Sequence, residues 1–200
     1  MRHLCYSGLP FEEQRAAFLA IVAADPLLAE TLARARALAL PDWLVVSGAL
    51  YNSVWNHLTG KPPGYGIKDV DLFYFDDADL SYEAEDAVIR RAATHFEGLP
   101  LPVEVRNQAR VHLWYPAKFG QECPKYASAS ESVSYFASKT HAVGVRYDAG
   151  GKLELVAPFG LDDIFSFRIT PNRALDNQRT HEAKGRRARE CWAEIEVVPW

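Results

Sequence analysis

The chain has 200 residues, of which 48% are hydrophobic and 24% are charged, so its composition predicts a packed globular core and excludes wholesale disorder. Its net charge of −4 argues against a protein held to nucleic acid by bulk electrostatics, because such domains usually carry a net basic charge. Isolated Cys5, Cys123 and Cys191 and the lack of a membrane-length apolar run favour a cytoplasmic protein without a disulfide framework or membrane segment.

The first predicted elements are helices. Residues 1–40 are predicted as an N-terminal helical segment, because Ala and Leu recur among polar residues at helical spacing, and Pro26 divides the segment in two. We expect this segment to pack on a domain of residues 41–200, as one structural unit. That domain begins with a short apolar strand in "WLVVSG", and a helix over Ala49–Leu58 follows it.

A second strand is predicted in "IKDVDLFYFD", behind a glycine- and proline-rich loop. The stretch alternates, so Asp69 and Asp71 share one face of the strand, whereas Val70, Leu72 and Tyr74 share the other. The strand is therefore predicted to bury one face and to present two carboxylates on the opposite face.

The later elements complete the predicted fold. An amphipathic helix in "SYEAEDAVIRRAATHFE" precedes a strand at Val103–Val105, and a hairpin with its turn at Ala149–Gly151 follows. Two more helical stretches are predicted in "LDDIFSFRITPN" and "RTHEAKGRRARECWAEI". This order predicts an α+β fold with α/β-like character, in which helices flank a mixed β-sheet.

The two aspartates predict a cation site. By strand geometry their side chains are roughly 6–7 Å apart at their bases, so the ionised carboxylates repel each other. A divalent cation such as Mg²⁺, which takes hard oxygen ligands, removes that cost. An isolated Asp-x-Asp is also common at ordinary strand ends, so Asp69 and Asp71 alone do not decide between a metal site and solvated carboxylates.

Two further features favour a metal site over solvated carboxylates. Ser47 and Gly48 join a strand to a helix, and small residues there let a phosphate approach the unpaired N–H groups of the helix N-terminus. Glu104 is an acid between Val103 and Val105 on an apolar strand. Separately, each has an ordinary alternative, a tight turn for the first and a solvated edge residue for the second.

The order "VVSG…KDVDLFYF…VEV" resembles the nucleotidyltransferase superfamily that is typified by DNA polymerase beta. From about Asp42 to Asn172 the chain looks like a bacterial nucleotidyltransferase-like family within that superfamily. The resemblance implies transfer of a nucleoside monophosphate from a nucleoside triphosphate such as ATP to a hydroxyl acceptor. It also implies that Asp69, Asp71 and Glu104 are catalytic residues that hold two Mg²⁺ or Mn²⁺ ions.

The resemblance also implies individual roles. Asp71 would bridge both metals, Glu104 would hold the metal that activates the attacking hydroxyl, and the turn at Ser47–Gly48 would bind the leaving pyrophosphate. Thr140 is expected to contact substrate. The sequence departs from the superfamily at the turn, which usually reads Gly followed by Gly or Ser; here Ser comes first.

Three hypotheses follow for function. The first is the transferase, with a small-molecule or protein acceptor favoured over RNA because the chain is acidic. The second is a nucleotide- or metal-binding sensor or protein partner without turnover, which the altered turn favours. The third is a phosphodiesterase or phosphatase that uses the same acids. The basic stretch "EAKGRRARE" is interpreted as a solvated helix face.

Overall fold

The computed structural model describes residues 2–200. The α-helices in this part of the chain are α1 Phe11–Ala24, α2 Pro26–Leu38, α3 Gly48–Thr59, α4 Tyr82–His95, α5 Val111–Phe119, α6 Ala129–Val133, α7 Asp162–Phe165 and α8 Gln178–Cys191. The strands are β1 Leu44–Val46, β2 Val70–Tyr74, β3 Val103–Asn107, β4 Gly144–Tyr147, β5 Leu153–Val156, β6 Arg168–Ile169 and β7 Glu196–Val197. The predicted mixed fold with flanking helices is confirmed.

Helices α1 and α2 are separated at Asp25, as the proline after it predicts. The Asp25 carboxylate accepts hydrogen bonds from the N–H groups of Leu27 at 3.0 Å and Leu28 at 3.2 Å, and from the hydroxyl of Ser53 at 2.7 Å. It therefore caps α2 and ties it to α3. Among residues 2–200 no single helix can cross a membrane; α1 and α2 together have the length and composition, but they bend by 87° at their junction.

Five strands form the main sheet in the order β3-β2-β1-β4-β5. Strands β2 and β3 are parallel and are joined through α4, whereas the other neighbours are antiparallel. A separate parallel pair, β6 and β7, was not predicted. Strands of two residues are too short to show an alternating pattern.

The two faces of β2 differ as the alternation predicts. Val70, Leu72 and Tyr74 are buried in the main core with residues of α1, α2 and α3. Asp71 and Phe73 lie on the opposite face, where Phe73 packs near the short helix α6. Strand β2 therefore has one face buried in the main core and one face that carries Asp71.

The predicted hairpin of β4 and β5 is confirmed. Its turn is closed by the N–H of Asp148, which donates to the carbonyl of Lys152 at 2.8 Å. Gly144 in β4 lies against β1, where an added Cβ would be 2.5 Å from Cδ2 of Leu44. This position therefore favours glycine, because a Cβ here would force the buried side chain of Leu44 to shift.

Helix α8 is anchored near both of its ends. Near its beginning, the buried ring of His181 bonds the hydroxyl of Ser138 at 2.7 Å and the carbonyl of Val198 at 2.8 Å. Just beyond its end, the indole of Trp192 packs on Gly66, where an added Cβ would be 2.6 Å from Cη2. These contacts fix which face of α8 is turned toward the sheet.

Helix α5 was not predicted, because its aromatic sequence with Pro116 shows no clear helical period. A buried carboxylate holds the segment that leads into it. Glu85 of α4 accepts the N–H of Asn107 at 2.8 Å and forms an ion pair with Arg110. Arg110 also donates to the carbonyl of Leu80 at 2.9 Å. The position of α5 therefore depends on this polar network.

Replacing Arg110 with Met is expected to lower the free energy of unfolding by about 3–5 kcal/mol, because the Glu85 carboxylate would stay buried without its cation. Urea unfolding followed by circular dichroism measures the loss. Arg90→Met is the matched control, since Arg90 is 74% exposed and pairs with Asp86 one turn away. Its expected change is about 0.5 kcal/mol or less. Equal small losses for both variants would contradict a structural role for the buried pair.

Candidate active site

The pairing register places three sequence-predicted features in a row across the sheet. Val46, the last residue of β1, is opposite Asp71, and Asp71 is in register with Glu104 of the parallel neighbour β3. Neighbouring strands are about 4.8 Å apart, and paired residues share a face of the sheet. The Ser47–Gly48 turn, Asp71 and Glu104 therefore lie side by side. Asp69 immediately precedes the first residue of β2.

Two adjoining cavities meet at this row. The first, here called the polar cleft, has a volume of about 70 Å³ and is lined by residues of α3, β2, α8 and the segment before β2. Its lining includes Gly48, Tyr51, Lys68, Asp69, Asp71, Lys184 and Arg187. A water molecule occupies about 30 Å³ in the liquid, so this space is on the scale of one phosphate group.

The second cavity, here called the aromatic chamber, has a volume of about 310 Å³. Ser47, Asp71 and Glu104 line it together with His141. Its remaining wall combines aromatic side chains with polar and charged ones, among them Arg106, Gln108, Lys118, Asn177 and Thr180. The aromatic residues are Phe73, Trp114, Tyr115, Phe119, Tyr126, Tyr135 and Phe136. Asp71 and Lys184 line both cavities, so the chamber and the cleft meet at these two side chains.

The carboxylate of Asp71 is electrostatically unfavourable in the free protein. Burial raises its pKa from 3.8 to about 6; Lys184 opposes that rise, and the neighbouring charges of Asp69 and Glu104 add to it. Carboxylate oxygens are the ligands that Mg²⁺ prefers, and a bound divalent cation would relieve this repulsion. The chemistry of these donors therefore fits a divalent metal.

The three acids do not close around a common point in this structure. Within residues 2–200, no three carboxylate, imidazole or thiol side chains come together in metal-binding geometry. The carboxylate of Glu104 is half exposed and lies 3.6 Å from the guanidinium of Arg106 on its own strand. Glu104 would therefore have to turn from Arg106 toward Asp71 to share a cation.

The Ser47 turn differs from the expectation that both of its residues hold phosphate. The N–H of Ser47 already donates to the carbonyl of Val143 at 2.8 Å. Within the described chain, the free N–H groups of this turn are those of Gly48 and Ala49, at the start of α3. The backbone groups of this turn that remain open to an anion are therefore at the first turn of α3, whose N-terminus favours anions.

Ser47 is also strained. Its backbone has φ 58° and ψ −119°, a left-handed conformation that residues with a Cβ rarely adopt. Its hydroxyl is buried and has no hydrogen-bond partner among the described residues. Strain and an unpaired polar atom at one residue are costs that commonly occur together at functional sites.

The structure does not bring Thr140 to either cavity. The Thr140 hydroxyl is buried, donates to the carbonyl of Arg168 at 2.8 Å and accepts the N–H of Thr170 at 3.0 Å. The structure therefore gives no support to the expected substrate contact by Thr140. The next residue, His141, lines the aromatic chamber, and its two ring nitrogens are buried without a partner in residues 2–200.

Sequence reasoning also missed the cations of α8. Lys184 and Arg187 reach the polar cleft, and Thr180 on the same side reaches the aromatic chamber. Their spacing of four and three residues places them on one helix face. The stretch interpreted as a solvated face is thus solvated on one side only, because this side contributes positive charge next to Asp71.

A family model described as nucleotidyltransferase matches residues 33–197. The chain belongs to this nucleotidyltransferase family. An NMR structure reported to reveal a CCA-adding enzyme head domain is similar, with a TM-score of 0.76 over 92% of this chain and 96% of that one. At 24% identity, this likeness shows a shared fold. No curated protein sequence matches the chain.

Without divalent cations, the stability of this nucleotidyltransferase should carry a pH signature of Asp71. The folded protein binds the Asp71 proton up to about pH 6, whereas the unfolded chain releases it near pH 4. Raising the pH through this window therefore destabilises the fold, by about 1–3 kcal/mol from this group. Asp71→Asn should remove that loss and exceed the wild type in stability at pH 7.5.

Urea unfolding in EDTA between pH 4 and 7.5 measures the difference between Asp71→Asn and the wild type. Asp77→Asn, at an exposed acid beyond the end of β2, is the control and should follow the wild-type profile. A difference between Asp71→Asn and the wild type that stays constant across the pH range would contradict the raised pKa.

Ser47→Gly should stabilise the nucleotidyltransferase by about 1 kcal/mol. Relief of left-handed strain contributes about 1–3 kcal/mol, and the added backbone entropy of glycine opposes it by about 0.5–1 kcal/mol. Ser134→Gly is the control, because Ser134 has an ordinary φ of −66° and should lose stability. Thermal and urea unfolding measure both variants, and a loss of similar size in each would show that Ser47 is unstrained.

Proposed function

We propose that this protein catalyses divalent-metal-dependent transfer of a nucleoside monophosphate from a nucleoside triphosphate to a hydroxyl acceptor. The observation that carries the proposal is the register of Asp71 with Glu104 beside the first turn of α3. Asp69, Asp71 and Glu104 would hold two Mg²⁺ or Mn²⁺ ions. When bound, these ions lower the pKa of the acceptor hydroxyl and neutralise charge on the leaving pyrophosphate.

The polar cleft supports binding of the phosphates. The N–H groups of Gly48 and Ala49 and the side chains of Lys184 and Arg187 supply positive electrostatic potential around a space of about 70 Å³. Arg187 is held in place because it donates to the carbonyl of Gly66 at 2.8 Å. A phosphate in the cleft would therefore meet donors that need little reorganisation, which is how electrostatic stabilisation becomes effective.

The chain has to position the reactants and accept one proton. The acceptor oxygen forms a bond to the α-phosphorus, the bond from that phosphorus to the pyrophosphate oxygen breaks, and pyrophosphate leaves on the side of α3. The hydroxyl proton passes to the exposed carboxylate of Glu104 and then to solvent. No covalent enzyme intermediate is needed, because positioning and charge stabilisation provide the rate.

A nucleotide-binding module without turnover is the second candidate. Two observations favour it: the N–H of Ser47 is already bonded to Val143, and Glu104 is turned toward Arg106. The two candidates differ in product formation rather than in binding. Binding of a triphosphate with Mn²⁺ but without pyrophosphate release would support the module.

The test combines calorimetry and turnover. Mn²⁺ and non-hydrolysable analogues of the four nucleoside triphosphates are titrated into the protein, and pyrophosphate release is then measured with Mg²⁺ and the natural triphosphates. Asp71→Asn should lower turnover by about 10³-fold and weaken Mn²⁺ binding, because a metal ligand supplies several kcal/mol of charge stabilisation.

Asp77→Asn is again the control, since it changes the same charge outside both cavities. It should retain wild-type release and Mn²⁺ affinity. Circular dichroism establishes that both variants are folded. Full pyrophosphate release by Asp71→Asn would exclude the proposed metal site.

A further inference from the structure

The aromatic chamber has unmet hydrogen-bonding capacity at the end where it meets Asp71. His141 is 1% exposed and Ser47 is 3% exposed, yet both nitrogens of the first and the hydroxyl of the second have no partner within residues 2–200. Buried polar groups in folded proteins are nearly always paired. Because both residues line the chamber, a group bound there can provide the missing partners.

The ring of His141 is held in a fixed orientation. It stacks on Tyr51 with 4.9 Å between ring centroids and 20° between planes. Burial lowers the pKa of His141 well below 6.5, so its ring is neutral and has one donor and one acceptor nitrogen. A hydroxyl group, which both donates and accepts, complements such a ring together with the hydroxyl of Ser47.

The rest of the chamber suits a flat apolar group. Trp114, Phe119 and Phe136 contribute aromatic surface, and the volume of about 310 Å³ is at the lower end of the range for small-molecule pockets, about 300–1,000 Å³. Aromatic rings prefer other rings as neighbours in offset or edge-on arrangements. The occupant is thus described by two features, an aromatic ring and a hydroxyl group.

The charges around the chamber do not favour a nucleic acid chain. Its three cations each have a protein neighbour: Arg106 lies 3.6 Å from Glu104, Lys118 lies 5.4 Å from the ring centroids of Trp114 and Phe119, and Lys184 is close enough to Asp71 to oppose the rise in its pKa. An RNA end brings one phosphate per nucleotide and needs Lys or Arg side chains to neutralise it. The net charge of −4 gives no additional attraction.

We infer that the aromatic chamber is the acceptor site, and that the acceptor is a small molecule with its aromatic ring against Trp114 and its hydroxyl between His141 and Ser47. The hydroxyl is then next to Asp71 and Glu104, and its oxygen replaces pyrophosphate on the α-phosphorus as described above. The acceptor role rests on the proposed transfer, whereas binding of a ring in the chamber does not.

The test uses ¹⁵N-labelled full-length protein without metal or nucleotide, and 2-naphthol as the probe. The indole N–H signal of Trp114, identified by its loss in Trp114→Leu, should shift saturably with a dissociation constant of about 1 mM or tighter. Decahydro-2-naphthol, which keeps the hydroxyl but lacks the aromatic ring, should bind about 3- to 10-fold more weakly. Equal affinity for the two probes would overturn the ring preference.

Two variants test the ring-binding wall and the hydroxyl-binding end of the chamber separately. Ala137→Leu, which adds bulk to the chamber wall, should abolish 2-naphthol binding, as measured by probe fluorescence. His141→Phe can still stack on Tyr51 but lacks the ring nitrogens. It should therefore weaken the binding of 2-naphthol at least 3-fold and leave the binding of naphthalene unchanged. Leu113→Ala, at an exposed residue of α5 outside the chamber wall, is the control and should bind normally.

The outcomes distinguish this inference from the proposed function. Pyrophosphate release without 2-naphthol binding overturns the acceptor site and leaves the transferase standing. Binding of 2-naphthol by a protein that never releases pyrophosphate overturns the acceptor role and leaves a ligand site. Displacement of 2-naphthol by hexa-adenylate RNA would overturn the choice of a small molecule over RNA.

Discussion

The pairing register of β1, β2 and β3 is the constraint on which the candidate site depends. Val70 and Leu72 are buried in the core on one face of β2, which forces Asp71 to the opposite face between the end of β1 and Glu104. A slip of one residue would reverse both faces, because side chains alternate along a strand. Burial of apolar side chains on one face thus decides where the carboxylates lie on the other.

Helix α8 supplies the opposite charge, and its position depends on contacts distant in sequence. Trp192 packs on Gly66, and its indole N–H donates to Asn56 at 3.2 Å, while His181 anchors the first turn. Between these anchors, Lys184 comes close enough to Asp71 to oppose the rise in its pKa. Negative charge on the sheet and positive charge on α8 therefore face each other across a narrow gap.

The sequence predicted the parts of the site that follow from local pattern. Alternation placed Asp71 and Glu104 on strands with the correct faces, and small residues marked the turn before α3. Lys184 was missed because its approach to Asp71 depends on tertiary packing of α8 rather than on its own sequence neighbourhood.

Near position 140, the sequence predicted a substrate contact by Thr140, but the side chain that lines a cavity is that of His141. Thr140 points into backbone hydrogen bonds, and His141 lines the chamber. The residues Lys139–His141 form a 3₁₀ turn, in which successive side chains point in different directions. The direction of each side chain in such a turn therefore has to come from the three-dimensional structure.

The two cavities share Asp71 and Lys184 in their walls, so they lie next to each other at these two side chains. A compound with a phosphate for the polar cleft and a ring for the aromatic chamber would gain affinity, because each half raises the effective concentration of the other. Such a bivalent inhibitor would need only a short linker past Asp71 and Lys184. The shared wall of the two cavities thus also outlines a design for selective inhibitors.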